Sequence, residues 1–382
     1  MATPRQPSQR LAWIDQLRTL AIVLVVNMHA CVTYGHVGDW YVQEDPEPPL
    51  PTRIVFLFWQ GHLQAFFMGL LFFVGGYFAH LSLRRKGPSA FARERLWRLG
   101  MPTLFYMLVL HPLIIFGIDP WNHDFGPLGP AYLHYVLRGH FLGGSGPMWF
   151  AAALLIFCLV LADLRTRWPA PDRPRAAPAA GELWFWGAVA VAATFLVRVV
   201  QPLGTSVFNM QLCYFPQYVL AFGAGVAAAR GGWLEALACS SRARWAGWLG
   251  LGLGPLALAT VLFAGGLLRG QPFDDFRGGF GVRSLGLCAW EQLAGLGLGL
   301  GALSFCARRL DRATPLSLWL SGRSFGVYLF HPVVLVLLTL GLRKVGWVNP
   351  FLNTALLTAT GLVASFGVAD LARRVPGVRA FL

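Results

Sequence analysis

Long apolar stretches alternate with short polar segments along this chain. Ten stretches are about 20 residues long, the length of an α-helix that crosses a bilayer. We predict spanning helices over residues 13–34, 54–82, 100–118, 147–164, 184–200, 214–230, 245–268, 284–306, 322–341 and 351–371. The ten-residue alternation typical of an outer-membrane barrel is not seen. The predicted fold is an all-α integral membrane protein, with residues 1–382 forming a single membrane domain.

Composition agrees with this fold class. Hydrophobic residues make up 56% of the chain and charged residues only 13%, and the mean hydropathy is +0.55. A soluble domain of this size could not bury so much apolar surface. The formal net charge of +14 could suggest nucleic acid, but the basic residues are dispersed between apolar stretches. We therefore expect a lipid bilayer and no nucleic acid as partner.

The connecting segments alternate in charge. The N-terminus together with 83–99, 165–183, 230–244, 307–321 and 372–382 holds 21 of the 31 Lys and Arg residues. By the positive-inside rule these segments and both chain termini are expected in the cytoplasm. Arg5 and Arg10 before the first apolar stretch resemble a signal peptide, but the length of the stretch favours an uncleaved first span. Residues 165–183 form a Pro/Ala/Arg linker that we expect to be mobile.

The cysteines and glycines favour packing roles. The six cysteines show no metal-ligand spacing, and five lie in or beside predicted spans, so neither a metal site nor a disulfide framework is expected. The sequence GLGLGLG at 295–301 places small residues four apart on a helix, which allows a neighbouring helix to approach closely.

The first span contains two ionisable residues on one helix face, Arg18 and His29. At 100° and 1.5 Å per residue, a step of 11 residues returns to nearly the same face about 16 Å further along. Ionisable groups at membrane depth are costly and tend to line sites. A neutral imidazole can accept a proton near neutral pH, so His29 is an acid–base candidate.

Three further polar residues lie in predicted spans and have structural as well as functional interpretations. His331, in SFGVYLFHPVV, is either a second acid–base group or a buried histidine bonded to a carbonyl. Glu291 is either a functional carboxylate or the counter-ion of an arginine. His62 is either part of a site at the depth of His29 or an interfacial histidine beside Trp59 and Gln60.

Arg93, Arg95 and Arg98 precede the third span. The pair Arg95 and Arg98, spaced as Arg-x-x-Arg, is predicted to share a helix face and to bind phosphate groups through guanidinium forks. An ordinary positive-inside anchor is the alternative interpretation.

Four elements in order resemble the type 3 membrane acyltransferase family (acyltransferase 3). They are IDQLRTLAIVLVVNMH with Arg18 and His29, FFMGLLFFVGGYFAHLSLRRKGPSAFARERLWRLGMP at 66–102 with Arg95 and Arg98, GPMWF at 146–150 with Trp149, and SGRSFGVYLFHPVV at 321–334 with Tyr328 and His331. Within the family, the sequences of these motifs are most similar to the branch that includes glucans biosynthesis protein C. The chain departs from the family pattern after Trp149, where many members have a Glu and this sequence reads AAALLIF.

The resemblance implies a bacterial inner-membrane enzyme that transfers an acyl group of acetyl or succinyl type. The implied donor is cytoplasmic acyl-CoA, a substrate rather than a bound cofactor, and the implied acceptor is a hydroxyl of a glycan or lipid-linked molecule across the membrane. It further implies that His29 acts as general base or acyl carrier, that Arg18 stabilises charge on the thioester, and that Arg93, Arg95 and Arg98 bind acyl-CoA. His331 and Glu291 are further catalytic candidates. Candidates on the acceptor side are His62, Trp149 and Tyr328.

Two other classes of function fit part of the pattern. A proton-coupled transporter of an anionic small molecule would also place Arg, His and Glu within spans, although paired broken helices are not evident. A membrane scaffold would use these residues only for bonds between helices. Acyl transfer by the purified protein, as opposed to flux across liposomes, distinguishes the enzyme from the transporter.

Overall fold

A computed structural model describes residues 11–44, 46–118, 127–169, 171–344, 349–379 and 381. Within these ranges every regular element is a helix, apart from an isolated bridge between Val207 and Met210. Nine helices in the described ranges are long and apolar enough to cross a membrane. A bilayer core offers no hydrogen-bond partners, so a helix, which satisfies its own backbone, is the form the apolar stretches take. The chain is an all-α, multi-pass membrane protein.

Fifteen helices are numbered here, and several contain π or 3₁₀ turns. In chain order they are α1 (Ala12–Gly35), α2 (Leu50–Lys86), α3 (Pro88–Ile118), α4 (Leu128–Leu137), α5 (Gly146–Arg167), α6 (Ala180–Val200), α7 (Leu212–Gly231), α8 (Leu234–Ala238), α9 (Ser241–Arg269), α10 (Asp274–Arg277), α11 (Val282–Arg309), α12 (Pro315–Ser321), α13 (Ser324–Arg343), α14 (Pro350–Ala372) and α15 (Pro376–Arg379). Arg5 and Arg10, on which the side of the N-terminus was predicted, lie outside the described residues.

The predicted span 284–306 corresponds to α11, which differs from the nine apolar helices. It is 28 residues long, about 42 Å at 1.5 Å per residue. Its glycines and the buried Glu291 and Gln292 lower its hydropathy. A helix enclosed by other helices does not need an apolar surface all round, and α11 packs against α2, α6 and α9. That α11 crosses the membrane as a tenth span stays a prediction.

Glycines bring α9 and α11 into close contact. A Cβ atom added to Gly247 would lie 2.5 Å from the Cα of Gly301, and one added to Gly297 would lie 2.8 Å from the carbonyl oxygen of Ala246. Real Cβ atoms do not approach so closely, so alanine at either position would push the helices apart. Gly295, Gly297 and Gly301 therefore serve the packing role that the spacing predicts, whereas Gly299 has no close neighbour.

The linker between α5 and α6 contacts the helix ends around it, and its mobility stays a prediction. Asp172 lies 3.1 Å from Nε2 of the buried His80 and 3.0 Å from the guanidinium of Arg84, both on α2. The guanidinium of Arg230, on α7, is 3.9 Å away. A single carboxylate thus holds the linker across the ends of these helices, which its Pro/Ala/Arg composition does not reveal.

We call the end of the bundle around Asp172 the basic end. The start of α1 also lies there, because Gln16 donates a hydrogen bond to the carbonyl oxygen of Leu310, which follows α11, at 2.6 Å. The start of α13 meets α1 nearby, where the hydroxyls of Thr19 and Ser324 are 3.1 Å apart. As far as the structure describes them, the basic segments 83–99, 165–183, 230–244, 307–321 and 372–382 therefore meet at one end of the bundle.

Candidate active site

Two helices that are distant in sequence bring a pair of imidazole rings together. His29 lies on α1 and His331 on α13, and their ring centroids are 5.3 Å apart with planes 22° from parallel. Nδ1 of His29 and Nε2 of His331 are buried and have no hydrogen-bond partner within the described part of the chain. Leaving a buried polar atom unpaired is costly. Two such atoms on neighbouring rings favour a site that a polar ligand completes.

The sequence His331-Pro332 determines which nitrogen of His331 is available. Pro332 has no N–H to give to the carbonyl of Tyr328 one turn earlier. Nδ1 of His331 lies 2.9 Å from that oxygen and 3.1 Å from the carbonyl oxygen of Val327. Since a carbonyl only accepts hydrogen bonds, Nδ1 carries the proton. In the neutral ring Nε2 therefore carries the lone pair and can accept a proton.

Trp40 covers the histidine pair from the loop between α1 and α2. Its ring stacks on His29, with centroids 3.8 Å apart and planes 18° from parallel, and its centroid is 6.2 Å from that of His331. Such contact fixes the plane of the His29 imidazole and shields one of its faces from water.

The neighbouring Tyr41 anchors this loop to α3. Its hydroxyl shares hydrogen bonds with the hydroxyl of Tyr106 at 2.8 Å and with Nδ1 of His111 at 2.7 Å. Burial raises the pKa of the Tyr41 phenol, so it stays protonated and neutral. Gly146, with φ of +46°, completes the contact, because a Cβ there would lie within 2.7 Å of both tyrosine hydroxyls.

Tyr328 and Trp149 are adjacent to the pair through aromatic packing. The Tyr328 hydroxyl donates a hydrogen bond to the carbonyl oxygen of Pro147 at the start of α5, and its ring centroid is 6.2 Å from that of His331. Phe150 packs edge-on against Tyr328 at 6.1 Å. Trp149 stacks on Tyr218, with ring centroids 5.7 Å apart. The terminal and tryptophan elements of the sequence therefore meet in one aromatic cluster.

Arg18 lies toward the basic end of the same helix as His29. The helix is unbroken from Ala12 to Gly35, so the separation of about 16 Å expected from the sequence holds. The Arg18 guanidinium is 3.6 Å from the carboxylate of Asp15, and its side chain is 43% exposed. Arg18 and His29 therefore lie at different depths in the bundle and are not in contact with each other.

Glu291 forms a buried ion pair with Arg198 of α6. The guanidinium donates to the carboxylate at 2.7 Å, and the two side chains are 0% and 6% exposed. Gln292 donates to the other carboxylate oxygen at 2.9 Å, and the Arg198 guanidinium also lies 5.4 Å from the centre of the Tyr214 ring. These contacts match the counter-ion interpretation of Glu291.

His62 belongs to another set of helices. Its Nδ1 donates to the carbonyl oxygen of Phe58 at 2.6 Å, and its ring packs edge-on against Trp290 of α11 at 5.1 Å. Its Nε2 is buried without a hydrogen-bond partner among the described residues. His62 thus lies among α2, α9 and α11, whereas the histidine pair lies between α1 and α13.

A π turn separates the two arginines of the Arg-x-x-Arg element. The turn spans Leu96–Gly100, just before Pro102, which cannot donate an α-helical hydrogen bond. Arg95 is half-buried with its guanidinium 5.0 Å from the centre of the Phe91 ring, whereas Arg98 is exposed and lies 3.5 Å from the carboxylate of Glu94. The two arginines therefore do not share one face as they would on a regular helix. Arg95 is the inner arginine of the element and Arg98 the outer one.

The outer surface of this segment forms an open groove of about 730 Å³. We call it the α3 groove, and it is lined by Lys86, Ala90, Arg93, Glu94, Leu96, Trp97 and Met101. Arg93 is exposed within it. The groove combines basic groups with an apolar wall, which suits an amphipathic anion.

The described residues contain no cluster of three or more His, Cys, Asp or Glu side chains that could hold a metal ion. All six cysteines are free thiols.

Sequence reasoning missed two features described above: the aromatic loop residues Trp40 and Tyr41, and Arg198, the partner of Glu291. Trp40 and Tyr41 lie in a loop, where an aromatic residue gives no signal of the helix it will contact. Arg198 did give a signal, since it is an ionisable residue within the predicted span 184–200, and the same argument that selected Glu291 applies to it.

The fold is that of a multi-pass membrane protein, and His29 and His331 lie side by side between two of its helices. The family model described as the acyltransferase domain, of the acyltransferase 3 type, matches residues 11–373. The chain therefore belongs to this family of membrane acyltransferases, as its four sequence elements indicated. Searches of curated proteins and of solved structures gave no significant match.

Proposed function

We propose that this acyltransferase moves an acyl group of acetyl or succinyl type from acyl-CoA at the basic end to a hydroxyl of a glycan or lipid-linked acceptor. By the positive-inside rule the basic end is the cytoplasmic end, and the acceptor arrives from the opposite side. The observation that carries the proposal is the His29–His331 pair, which offers two buried ring nitrogens that have no hydrogen-bond partner among the described residues.

The reaction breaks the C–S bond of the thioester and forms a C–O bond to the acceptor. A ring nitrogen of His29 takes the hydroxyl proton as the oxygen attacks the thioester carbonyl, and the proton then passes to the departing CoA thiolate. In the alternative order a ring nitrogen of His29 first takes the acyl group and releases the CoA thiolate. The acceptor hydroxyl then takes the acyl group from His29, and its proton passes to the thiolate. His331, with its lone pair on Nε2, is placed to hydrogen-bond the acceptor or to receive the proton.

The arginines suit the donor rather than the acceptor. Arg93 in the α3 groove and Arg98 beside it are exposed at the basic end, where they can pair with phosphates. The inner Arg95 and the half-exposed Arg18 lie between that surface and the membrane interior. A thioester on an extended arm can pass these groups before it reaches His29, which gives Arg18 a role in orienting the donor.

The acceptor side is formed by Trp40, Tyr328 and the cluster around Trp149. Aromatic rings pack well against the apolar faces of sugars and lipids. Since Glu291 is neutralised by Arg198, we assign it no step in the reaction. The similarity to the glucans biosynthesis protein C branch favours succinyl as the acyl group. This choice of acyl group is the most specific part of the proposal.

The test compares donors and products directly. Full-length protein in detergent or nanodiscs is given acetyl-CoA or succinyl-CoA together with membrane glycan and lipid extracts, and the acceptors are analysed by mass spectrometry. We expect the acceptor to gain the mass of one acyl group as free CoA appears. A protein that instead carries the substrate across liposomes without covalent change would be a transporter.

His29→Ala tests the role of the pair in the same assay. We expect at least a hundredfold loss of transfer, since general acid–base groups contribute about 10² to 10⁴ in rate. His140→Ala is the matched control, because His140 is an exposed histidine of the loop before α5. Normal transfer by correctly inserted His29→Ala protein would overturn the mechanism.

A further inference from the structure

A second groove at the basic end is lined almost entirely by charged groups. Its volume is about 480 Å³, and its lining consists of Trp319, Arg323, Asp370, Arg373, Arg374 and Arg379. We call it the C-terminal groove, because most of these residues come from the end of α14 and from α15. Neither the four sequence elements nor the proposed function uses it as a whole.

The arginines of this groove outnumber their carboxylate partner. Asp370 accepts hydrogen bonds from Arg323 at 2.6 Å and from Arg374 at 2.9 Å. Arg373 donates to the carbonyl oxygen of Gly322. Among the described lining residues, four guanidinium groups and one carboxylate leave an excess of positive charge around one concavity. Guanidinium forks match the oxygens of phosphate in geometry and charge.

An aromatic wall accompanies the charge. The guanidinium of Arg323 lies 4.4 Å from the centre of the Trp319 ring, which holds this arginine in place through a cation–π contact. An ordinary positive-inside anchor has no need of such an arrangement, since separate arginines facing the headgroups suffice. Convergence on a common groove favours a polyanionic ligand.

The C-terminal groove adjoins the α3 groove. Phe381 packs against Trp97, a residue of the α3 groove, with ring centroids 5.7 Å apart. Arg379, which lines the C-terminal groove, precedes Phe381 by two positions, a stretch of chain that spans at most about 7 Å. The C-terminal segment therefore joins the two grooves, and a ligand in one can extend into the other.

We propose that the C-terminal groove binds phosphate groups of the donor, a CoA thioester, so that the two grooves together hold its nucleotide end. This inference rests on the proposed function for the identity of the donor. CoA carries a diphosphate and a 3′-phosphate, so its nucleotide end needs more cationic partners than Arg93 and Arg98 supply. The headgroup of an anionic phospholipid offers the same chemistry, and the experiment separates these sources.

Direct binding to the full-length protein tests the assignment. The protein is placed in nanodiscs of phosphatidylcholine alone and titrated with CoA, 3′-dephospho-CoA and pantetheine. The variants are Arg379→Gln and Arg374→Gln, both exposed positions, with Arg244→Gln as an exposed control that lines neither groove. We expect each groove variant to weaken CoA binding about five- to tenfold, with pantetheine binding and the Arg244→Gln control unchanged.

The outcomes are distinguishable. Unchanged CoA affinity in both groove variants would overturn this inference and leave the proposed donor intact. Failure of the wild-type protein to bind CoA would overturn the donor itself. Nanodiscs that also contain phosphatidylglycerol provide the lipid arm. If the variants lose retained phosphatidylglycerol, measured by native mass spectrometry, while CoA affinity stays the same, the groove is a lipid site and does not bind the phosphates of CoA.

Discussion

Two pairs of stacked histidines in this protein have nearly the same geometry and different surroundings. The rings of His29 and His331 are 5.3 Å apart and 22° from parallel, and those of His134 and His140 are 5.4 Å apart and 28° from parallel. The second pair is exposed and forms between α4 and the turn that follows it. The first is enclosed between two helices that are distant in sequence.

The comparison shows that stacking alone does not define a site. Water can satisfy every ring nitrogen of the exposed pair at little cost. In the enclosed pair, two nitrogens lack a hydrogen-bond partner in the part of the chain that the structure describes. One face of His29 is covered by Trp40, and the proton of His331 is fixed on Nδ1. Burial and tautomer, rather than ring geometry, therefore separate an acid–base candidate from a surface contact.

The largest difference is expected from removing one ring of each pair. His331→Gln should lower kcat for acyl transfer about 100-fold, because Nε2 is lost from the site, whereas His134→Gln should change it less than about twofold. Steady-state rates of folded protein, with the folding of each variant checked by thermal unfolding, make the measurement. Equal rates for the two variants would place His331 outside the reaction.

The same contrast can be tested on ion pairs. Glu291→Gln leaves the buried Arg198 without a counter-charge and should destabilise the protein by about 3 kcal/mol. Asp163→Asn breaks an exposed pair with Arg167 on α5 and should cost less than about 0.5 kcal/mol. Unfolding in detergent measures both, and Glu291→Asp, which keeps the charge, should recover part of the loss. A loss of transfer in Glu291→Gln at normal stability would show that Glu291 does take part in the chemistry.

A smaller effect is expected from the ring that covers His29. Trp40→Ala should lower kcat about tenfold and raise the fraction of acyl-CoA lost to hydrolysis, because the imidazole is no longer held in plane or shielded from water. Trp40→Phe, which keeps a stacking ring, should recover most of the transfer. The ratio of acylated acceptor to free acid is the readout, and a wild-type ratio in Trp40→Ala would exclude this role.

The smallest effect concerns the linker and depends on pH. Burial alone would raise the pKa of the Asp172 carboxyl, but its contact with His80 and the nearby arginine charges outweigh burial and hold that pKa below its usual value. The stabilisation is therefore complete above the ordinary carboxyl pKa of about 4 and is lost as pH falls through the lower folded value. Asp172→Asn should remove less than about 1 kcal/mol at pH 7 and flatten the loss of stability in acid. An unchanged acid profile would mean that the linker is held by its other contacts.

Much of the fold could be predicted from the apolar stretches, because the length of a spanning helix follows from bilayer thickness. The α3 segment shows a property that the apolar pattern does not predict, which is the local geometry of a helix. A regular helix would place Arg95 and Arg98 on one face, yet the π turn before Pro102 separates them. Proline indicates a disturbed helix but not how the neighbouring turn relaxes. The linker is a similar case, since its composition does not specify the Asp172 contacts.

The sequence by itself determined that this protein lies in a lipid bilayer, that its fold class is all-α, and which polar residues within the spans needed an explanation. These follow from local properties, because each apolar stretch must satisfy its own backbone in lipid and each ionisable group within it is costly. Only the tertiary structure decided that His29 meets His331 and Trp40, that Glu291 meets Arg198, and that two basic grooves adjoin. Such contacts join residues that are distant along the chain, so they depend on how helices and loops pack against one another rather than on the pattern within any one of them.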